Sequence, residues 1–436
     1  MANWMNVIED WVSRVTDIGG TLIAHNTQLT LIDKCHRLLE NSGEATSLAL
    51  SREILQDFTQ LTMAEKKAFF ESLIEEFSID PEALNGAIAH WQSAPSIEQG
   101  RALHFAIEPK SQELIRQLNR APGGTAALVA MREDLLILSR EHAHLRCLDN
   151  DLKHLFHSWF NRGFLRLEVI NWSTSARVLE KIIAYEAVHE IQGWDDLRRR
   201  VAEKDRRLYA FFHPSLPSDP LIFVEVALTA ATPETIESIL QDNRQPLEAN
   251  QVTTAVFYSI SNCQAGLRGI SFGNFLIKQV VEELSREMPN LRRFITMSPI
   301  PGMRRWLEAQ RNLTAEQQNI MQQSSVDQGN LTEAVKKQNS QGLYRLAIHY
   351  LLEAKGKDGG PVDPVSRFHL GNGAHLEKVH LWANSSTRGV NDSYGVMVNY
   401  EYDLPSIERN HEEFLSQGTI KTSSLIKKVH KKTHRK

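Results

Sequence analysis

The sequence predicts an α+β multidomain protein: an all-helical bundle over residues 1–160, a mixed α/β domain over 161–420, and a basic, disordered tail over 421–436. Three observations predict it. A chain of 436 residues is too long for one small module and suits two or three domains, each with its own core. Through the first ~150 residues, apolar positions recur at helical spacing without strand-like alternation. After about residue 160, short β-branched and aromatic runs alternate with helical stretches, the pattern of a mixed sheet covered by helices.

The helical half begins with amphipathic stretches near 3–16, 27–41 and 47–59. Thr62-Met63-Ala64-Glu65 is a capping box, opening a helix over 62–78 whose Phe69, Phe70, Leu73, Ile74 and Phe77 share one stripe. Asp80 caps the next helix and Pro81 takes its first position. Further helices are expected over 110–119 and 124–158, separated by the break Pro122-Gly123-Gly124. In the second half, strands are expected at 164–170, 207–212, 221–229, 252–260, 292–298, 376–383 and 394–402, with helices at 175–191, 233–241, 272–288 and 343–354. The Gln-, Asn- and Ser-rich stretch 311–341 reads as an inserted helical or loop excursion.

Hydrophobic residues at 42% and charged residues at 23% place the chain with folded globular proteins. A net charge of -4 creates no field that would recruit nucleic acid or an anionic membrane. Seven Lys or Arg and no acid fall within 421–436, so a basic appendage follows an acidic body. Three widely spaced cysteines, Cys35, Cys147 and Cys263, form neither a disulfide framework nor a four-thiolate zinc site, and fit a reducing compartment. Early acids and the lack of any run of about 18 apolar residues argue against a signal peptide and a membrane span. A cytoplasmic location is expected.

The segment 252–298 carries the most chemistry. A strand, a loop with Gly266, Gly269 and Gly273, and a helix N-terminus expose backbone amides suited to a pyrophosphate, with Arg268 and Lys278 as added charge. An ordinary turn is the alternative. Arg268-Gly269-Ile270-Ser271-Phe272-Gly273 approximates the acyl-CoA loop of the GNAT acetyltransferases, with Ser271 where a Gly is usual. The second strand ends in Ser298-Pro299-Ile300-Pro301-Gly302, whose prolines hold a serine rigidly at a strand's carboxyl end. His369 lies in a Gly-flanked loop, where the glycines let a substrate approach and the imidazole titrates near neutrality. A plain turn serine and an exposed histidine are the bland readings of these two. Glu141-x-x-His144 and Glu186-x-x-His189 have the spacing of a di-iron bundle, but strand-like residues intervene, and helix-surface ion pairs explain them as well.

Seven motifs then occur in one order. They are Tyr185-Glu186-Ala187-Val188-His189, His213-Pro214-Ser215-Leu216-Pro217, Phe257-Tyr258-Ser259-Ile260-Ser261, Gly273-Asn274-Phe275-Leu276-Ile277-Lys278, Ser298-Pro299-Ile300-Pro301-Gly302, Phe368-His369-Leu370-Gly371-Asn372-Gly373-Ala374 and Asn399-Tyr400-Glu401-Tyr402. In this order the chain resembles the malonyl-CoA decarboxylase family over about 185–402. The resemblance implies an N-terminal helical domain used in homo-oligomerisation, as a dimer or tetramer, and a GNAT-like catalytic domain. It also implies conversion of malonyl-CoA to acetyl-CoA and carbon dioxide by a Ser and a His, here Ser298 and His369. Substrate contacts are expected along Ser259, Ser261, Arg268, Gly269, Ser271, Gly273, Asn274, Asn372 and Tyr400. The chain ends His434-Arg435-Lys436, so the family's peroxisomal address does not carry over.

Loss of carbon dioxide leaves an enolate on the thioester oxygen, so the substrate is its own electron sink and no cofactor or metal is expected. The protein must supply oxyanion donors and a proton for C2, and a histidine of unperturbed pKa, roughly 6.5, can give it. An acyl-CoA-dependent N-acyltransferase is the alternative enzyme, and an acyl-CoA-sensing scaffold the non-catalytic one.

Overall fold

The computed structural model describes residues 29–40, 43–270, 276–311, 313–324 and 333–433. The helix expected at 3–16 lies outside them, as do Ser271, Gly273 and Asn274. The chain forms two compact units. The first comprises residues up to Leu165 together with His213–Pro217 and Gln264–Phe272, and the second comprises the remainder. The expected boundary at 160 is therefore incomplete, because two short excursions from the second half pack with the helices.

The first unit holds α1 (Leu31–Glu40), α2 (Glu44–Gln60), α3 (Met63–Glu76), α4 (Pro81–Ser93), α5 (Ile97–Ile107), α6 (Lys110–Asn119), α7 (Gly124–Leu138) and α8 (Arg146–Trp159). The capping box is formed: Thr62 Oγ1 accepts from Glu65 N, and Glu65 Oε2 accepts from Thr62 N at 2.8 Å. Asp80 accepts from the amides of Glu82 and Ala83, with Pro81 in the first turn. Phe58, Phe69 and Phe70 cluster at 5.5 to 6.1 Å in the core these stripes build. The single helix expected over 124–158 is two helices. Ser139 turns its hydroxyl back to Leu135 O at 2.6 Å, and a short 3-10 turn at Ala143–Leu145 separates the halves. Helix α5 has no counterpart among the helices expected from sequence.

Arg132 explains why Gln264–Phe272 belongs to this unit. Its buried guanidinium is paired with Asp149 at 2.8 Å and donates to Gly266 O at 2.6 Å and Arg268 O at 3.1 Å. Gly266 answers to packing rather than to a phosphate, since a Cβ there would fall 1.9 Å from Val129 O.

The second unit is an eight-stranded mixed sheet, as expected, with strand order β1-β2-β3-β4-β5-β8-β6 and β7 paired to β8. The strands are β1 (Arg166–Ile170), β2 (Arg206–Phe212), β3 (Ile222–Thr229), β4 (Thr254–Asn262), β5 (Arg293–Thr296), β6 (Ser298–Pro299), β7 (His375–His380) and β8 (Met397–Glu401). Strands β1 to β4 are antiparallel and β4–β5 is the parallel pair. Near-continuous burial of β2, β3 and β4 shows both faces covered. The helices are α9 (Ala176–Tyr185), α10 (Trp194–Ala202), α11 (Glu237–Leu240), α12 (Leu276–Glu287), α13 (Met303–Glu308), α14 (Ala315–Ser324), α15 (Glu333–Glu353), α16 (Pro364–Gly371), α17 (Thr387–Ser393), α18 (Ile407–Gln417) and α19 (Ser424–Thr433).

Two features position the site. Strands β4 and β5 pair only over Thr254–Phe257 and Arg293–Thr296, after which Ser298 and Pro299 pair with β8 instead. The sheet thus splits beyond Phe257, next to a bulge at Tyr258 where the β3–β4 register shifts. The tail expected to be disordered is folded through Thr433: residues 421–423 bond to β7, Ile426 is fully buried, and His430 bonds Glu353 at 2.6 Å. Lys427, Lys428 and Lys431 are exposed while Ile426 fills the apolar seam, so a charge run conceals an amphipathic helix.

Candidate active site

His369 lies in the last turn of α16, not in a loop. Asp363 begins that helix by accepting from Ser366 N at 2.7 Å, and Pro364 supplies the pre-set φ of the first position. The imidazole stacks on the Tyr400 ring, with centroids 4.8 Å apart and planes at 23°. Tyr400 is held in turn by Ser366, hydroxyl to hydroxyl at 2.5 Å. Gly373 serves chain packing: its φ is 85° and a Cβ there would meet Ile407 O at 2.1 Å.

Across the imidazole runs a chain of hydroxyls. Its Nε2 is 3.1 Å from Ser298 Oγ, and its Nδ1 is 2.7 Å from the Tyr402 hydroxyl. Ser298 donates to Thr296 Oγ1 at 2.8 Å, and Thr296 Oγ1 also accepts from Tyr400 N at 3.0 Å. With the Ser298 proton on Thr296, the consistent assignment has Nε2–H donating to Ser298 and Nδ1 accepting from Tyr402. Ser298 and His369 are each at most 5% exposed. That burial pushes the imidazole down to about 3, so it is neutral at pH 7 and does not titrate near its ordinary value as expected from sequence. Burial also pushes the phenols of Tyr400 and Tyr402 well above their ordinary value, keeping both protonated.

The other expected contacts divide. Arg268 and Gly269 are exposed in the first unit, with Gly269 at φ 78°. Lys278 is paired with Glu408 at 2.8 Å. Ser259 and Ser261 are buried and donate to the Glu186 carboxylate at 2.7 and 3.2 Å, so their hydroxyls hold an internal acid. Asn372 ends α16 by donating to Phe368 O at 2.7 Å. Neither Glu-x-x-His pair sits on one helix face. Glu186 follows α9 and accepts from the amides of Val188 and His189, both at 2.7 Å, while His144 faces Glu71. Among the described residues, His375, Glu377 and Glu401 stand close enough to share a cation, but the Arg293 guanidinium already bonds both carboxylates. Thr296, Asp363, Ser366 and Tyr402 support Ser298, His369 and Tyr400 and are not among the site residues expected from sequence. For Tyr402 a signal existed: residues two apart on a strand share a face, so Tyr400 implies Tyr402.

A buried chain of Ser298, His369 and Tyr402 lies at a split in the mixed sheet, and the comparisons with known proteins give the class of protein that carries it. Residues 163–436 match the family profile described as the malonyl-CoA decarboxylase C-terminal domain, and residues 77–160 match its N-terminal domain. The mitochondrial malonyl-CoA decarboxylase of Anser anser anser is 36% identical over 365 residues, covering 76% of this chain and 72% of the relative. The corresponding protein of Rattus norvegicus is also 36% identical, covering 77% and 74%. Crystal structures of malonyl-CoA decarboxylases from Rhodopseudomonas palustris and Agrobacterium vitis superpose with TM-scores of 0.88 and 0.87. Their identities are 48% and 46%, over 91% and 92% of this chain and 98% and 99% of theirs. The chain belongs to the malonyl-CoA decarboxylase family and is a decarboxylase, a lyase.

Proposed function

We propose that the chain converts malonyl-CoA to acetyl-CoA and carbon dioxide at Ser298 and His369, and that the Ser298–His369–Tyr402 chain carries this reading. Breaking the C2–carboxylate bond releases carbon dioxide and leaves its electron pair delocalised onto the thioester oxygen. A thioester enolate is a stronger base than imidazolate, so a neutral imidazole N–H suffices as the acid for C2. Nε2–H donates that proton, directly or through Ser298. Tyr402 O–H faces Nδ1 and stabilises the charge developing on the ring, and water restores the proton afterwards. Ser298 anchors the thioester or the departing carboxylate. Exclusion of water strengthens each of these contacts.

The phosphate end of the substrate is assigned to the loop with Arg268 and Gly269 and, beyond the described residues, Ser271, Gly273 and Asn274. Assembly through the helical unit belongs to the same reading. Helices α4 and α5 bury no residue, while Ile97 and Phe105 are 82% and 69% exposed, an apolar surface suited to a second copy. The three cysteines are free, which agrees with the cytoplasmic location expected. No helix among the described residues is long and apolar enough to cross a membrane.

The test is incubation of the purified protein with malonyl-CoA alone in the presence of a chelator. Carbon dioxide and acetyl-CoA should form in equal amounts without an acceptor. Free CoA released only after an amine is added, without carbon dioxide, would favour the acyltransferase, and no reaction would favour the acyl-CoA-sensing scaffold.

A further inference from the structure

A second cavity in the sheet unit remains outside this account. It measures about 570 Å³ and is lined by Val188, His189, Ile236, Leu240, Asn384 and Arg388, among others. That volume is in the range of small-molecule sites. It lies apart from the dyad. Ser298 and Thr296 face His369, whereas Met297 between them clusters with Ile236, Tyr258 and Ala383 on the other face, where the cavity opens.

His189 gives this cavity its chemistry. The residue is 9% exposed, and its Nε2 is buried without a partner, an expensive arrangement unless a ligand completes it. The Tyr258 backbone bonds the ring, and because Nε2 has no partner that bond falls to Nδ1. Burial first, then the nearby Arg200 and Arg388, push the imidazole down to about 3, so with Nδ1 as donor Nε2 offers a bare lone pair. The cavity therefore asks for an N–H or O–H donor at this point. Arg388 is the cation of the lining; it donates to Ala187 O and stands 3.7 Å from Asp392 Oδ2, a loose, exposed pairing that leaves guanidinium donors for an anion. Glu237 is occupied by the Ser385 amide and hydroxyl, each at 2.6 Å.

We propose that this cavity binds a small amino or hydroxy carboxylic acid, its donor group on His189 Nε2 and its carboxylate on Arg388. The site is distinct from the Ser298–His369 dyad, and its readout does not require turnover, so it stands or falls independently of the decarboxylase reading.

The full chain carrying ¹⁵N-histidine reports on Nε2 directly, its resonance identified by its loss in His189→Gln. Glycine and L-lactate are titrated as amine and hydroxyl probes, with acetate lacking the donor and ethanolamine lacking the anion. The expected result is a saturable upfield shift with glycine or lactate, at least roughly tenfold weaker with either control and in Arg388→Gln. Arg388 is exposed, so that variant keeps the fold, and its carbon dioxide release from malonyl-CoA should match wild type. No shift with either probe, an equal response to acetate, an unaltered response in Arg388→Gln, or a probe that raises KM for malonyl-CoA would each overturn the proposal.

Discussion

In the proposed reaction the imidazole of His369 is an acid that need not be charged. A histidine near its ordinary value would lose activity as pH rises through about 6.5. Here the folded group is held at about 3 by burial, so kcat/KM should show no decline centred on 6.5 between pH 6 and 8.5. A tenfold fall per pH unit above 6.5 would mean the imidazolium is the working form. Tyr402→Phe removes only the hydroxyl at Nδ1. Losing a hydrogen bond to a group that becomes charged costs about 1.5 kcal/mol or more, so kcat should fall roughly tenfold while KM stays within about twofold. Equal effects on KM and kcat would assign Tyr402 to binding instead.

At the scale of elements, α16 shows what the sequence could and could not reveal. Asp363-Pro364 is a start signal of the same kind as Asp80-Pro81, which was read correctly. The glycines at 371 and 373 suggest a loop, but the cap at Asp363, three residues before Ser366, makes the segment a helix. Asp363→Ala should therefore cost about 1 kcal/mol of stability by loss of the cap and slow turnover by loosening His369, whereas Asp363→Asn keeps a cap. Activity of the Ala variant equal to that of Asn would deny the cap its positioning role. Ser298 was legible because its prolines fix the strand end. Ser259 and Ser261 are expected from sequence as substrate contacts, whereas their hydroxyls go to Glu186, 73 and 75 residues away, a partner that no local pattern announces. The same holds for Arg132, whose hold on the loop at Gly266 spans 134 residues. Periodicity reports which residues are buried, and long-range polar pairing is decided only when the chain closes.

For the whole molecule, buried titratable groups pull against each other. His369 and His189 are each lowered to about 3, so between there and roughly 6.5 the unfolded chain binds more protons and stability rises with pH. Asp363 is raised from 3.8 to about 7 by burial, so in that window the folded state holds the extra proton and stability falls as pH rises. The slopes oppose each other from about pH 4.5 to 6.5. Asp363→Asn removes one of them, and its denaturant-derived stability should rise with pH more steeply than wild type, by up to about 1.4 kcal/mol per pH unit. A shallower rise than wild type would contradict the assignment. The α4–α5 surface acts at the same scale: Ile97→Glu with Phe105→Glu should shift the sedimenting species toward monomer, and an unchanged species would remove that face from assembly.

The measurement closest to the central claim is steady-state carbon dioxide release from malonyl-CoA by Ser298→Ala, His369→Asn and the double variant. Each single change should lower kcat by roughly 10²-fold or more with the fold and CoA binding retained, because each removes a contact made in the decarboxylation transition state. Two groups 3.1 Å apart that serve one step should also be non-additive, the double variant losing less than the product of the single losses. Near-wild-type turnover by either single variant, in protein that folds and binds CoA, would contradict the account.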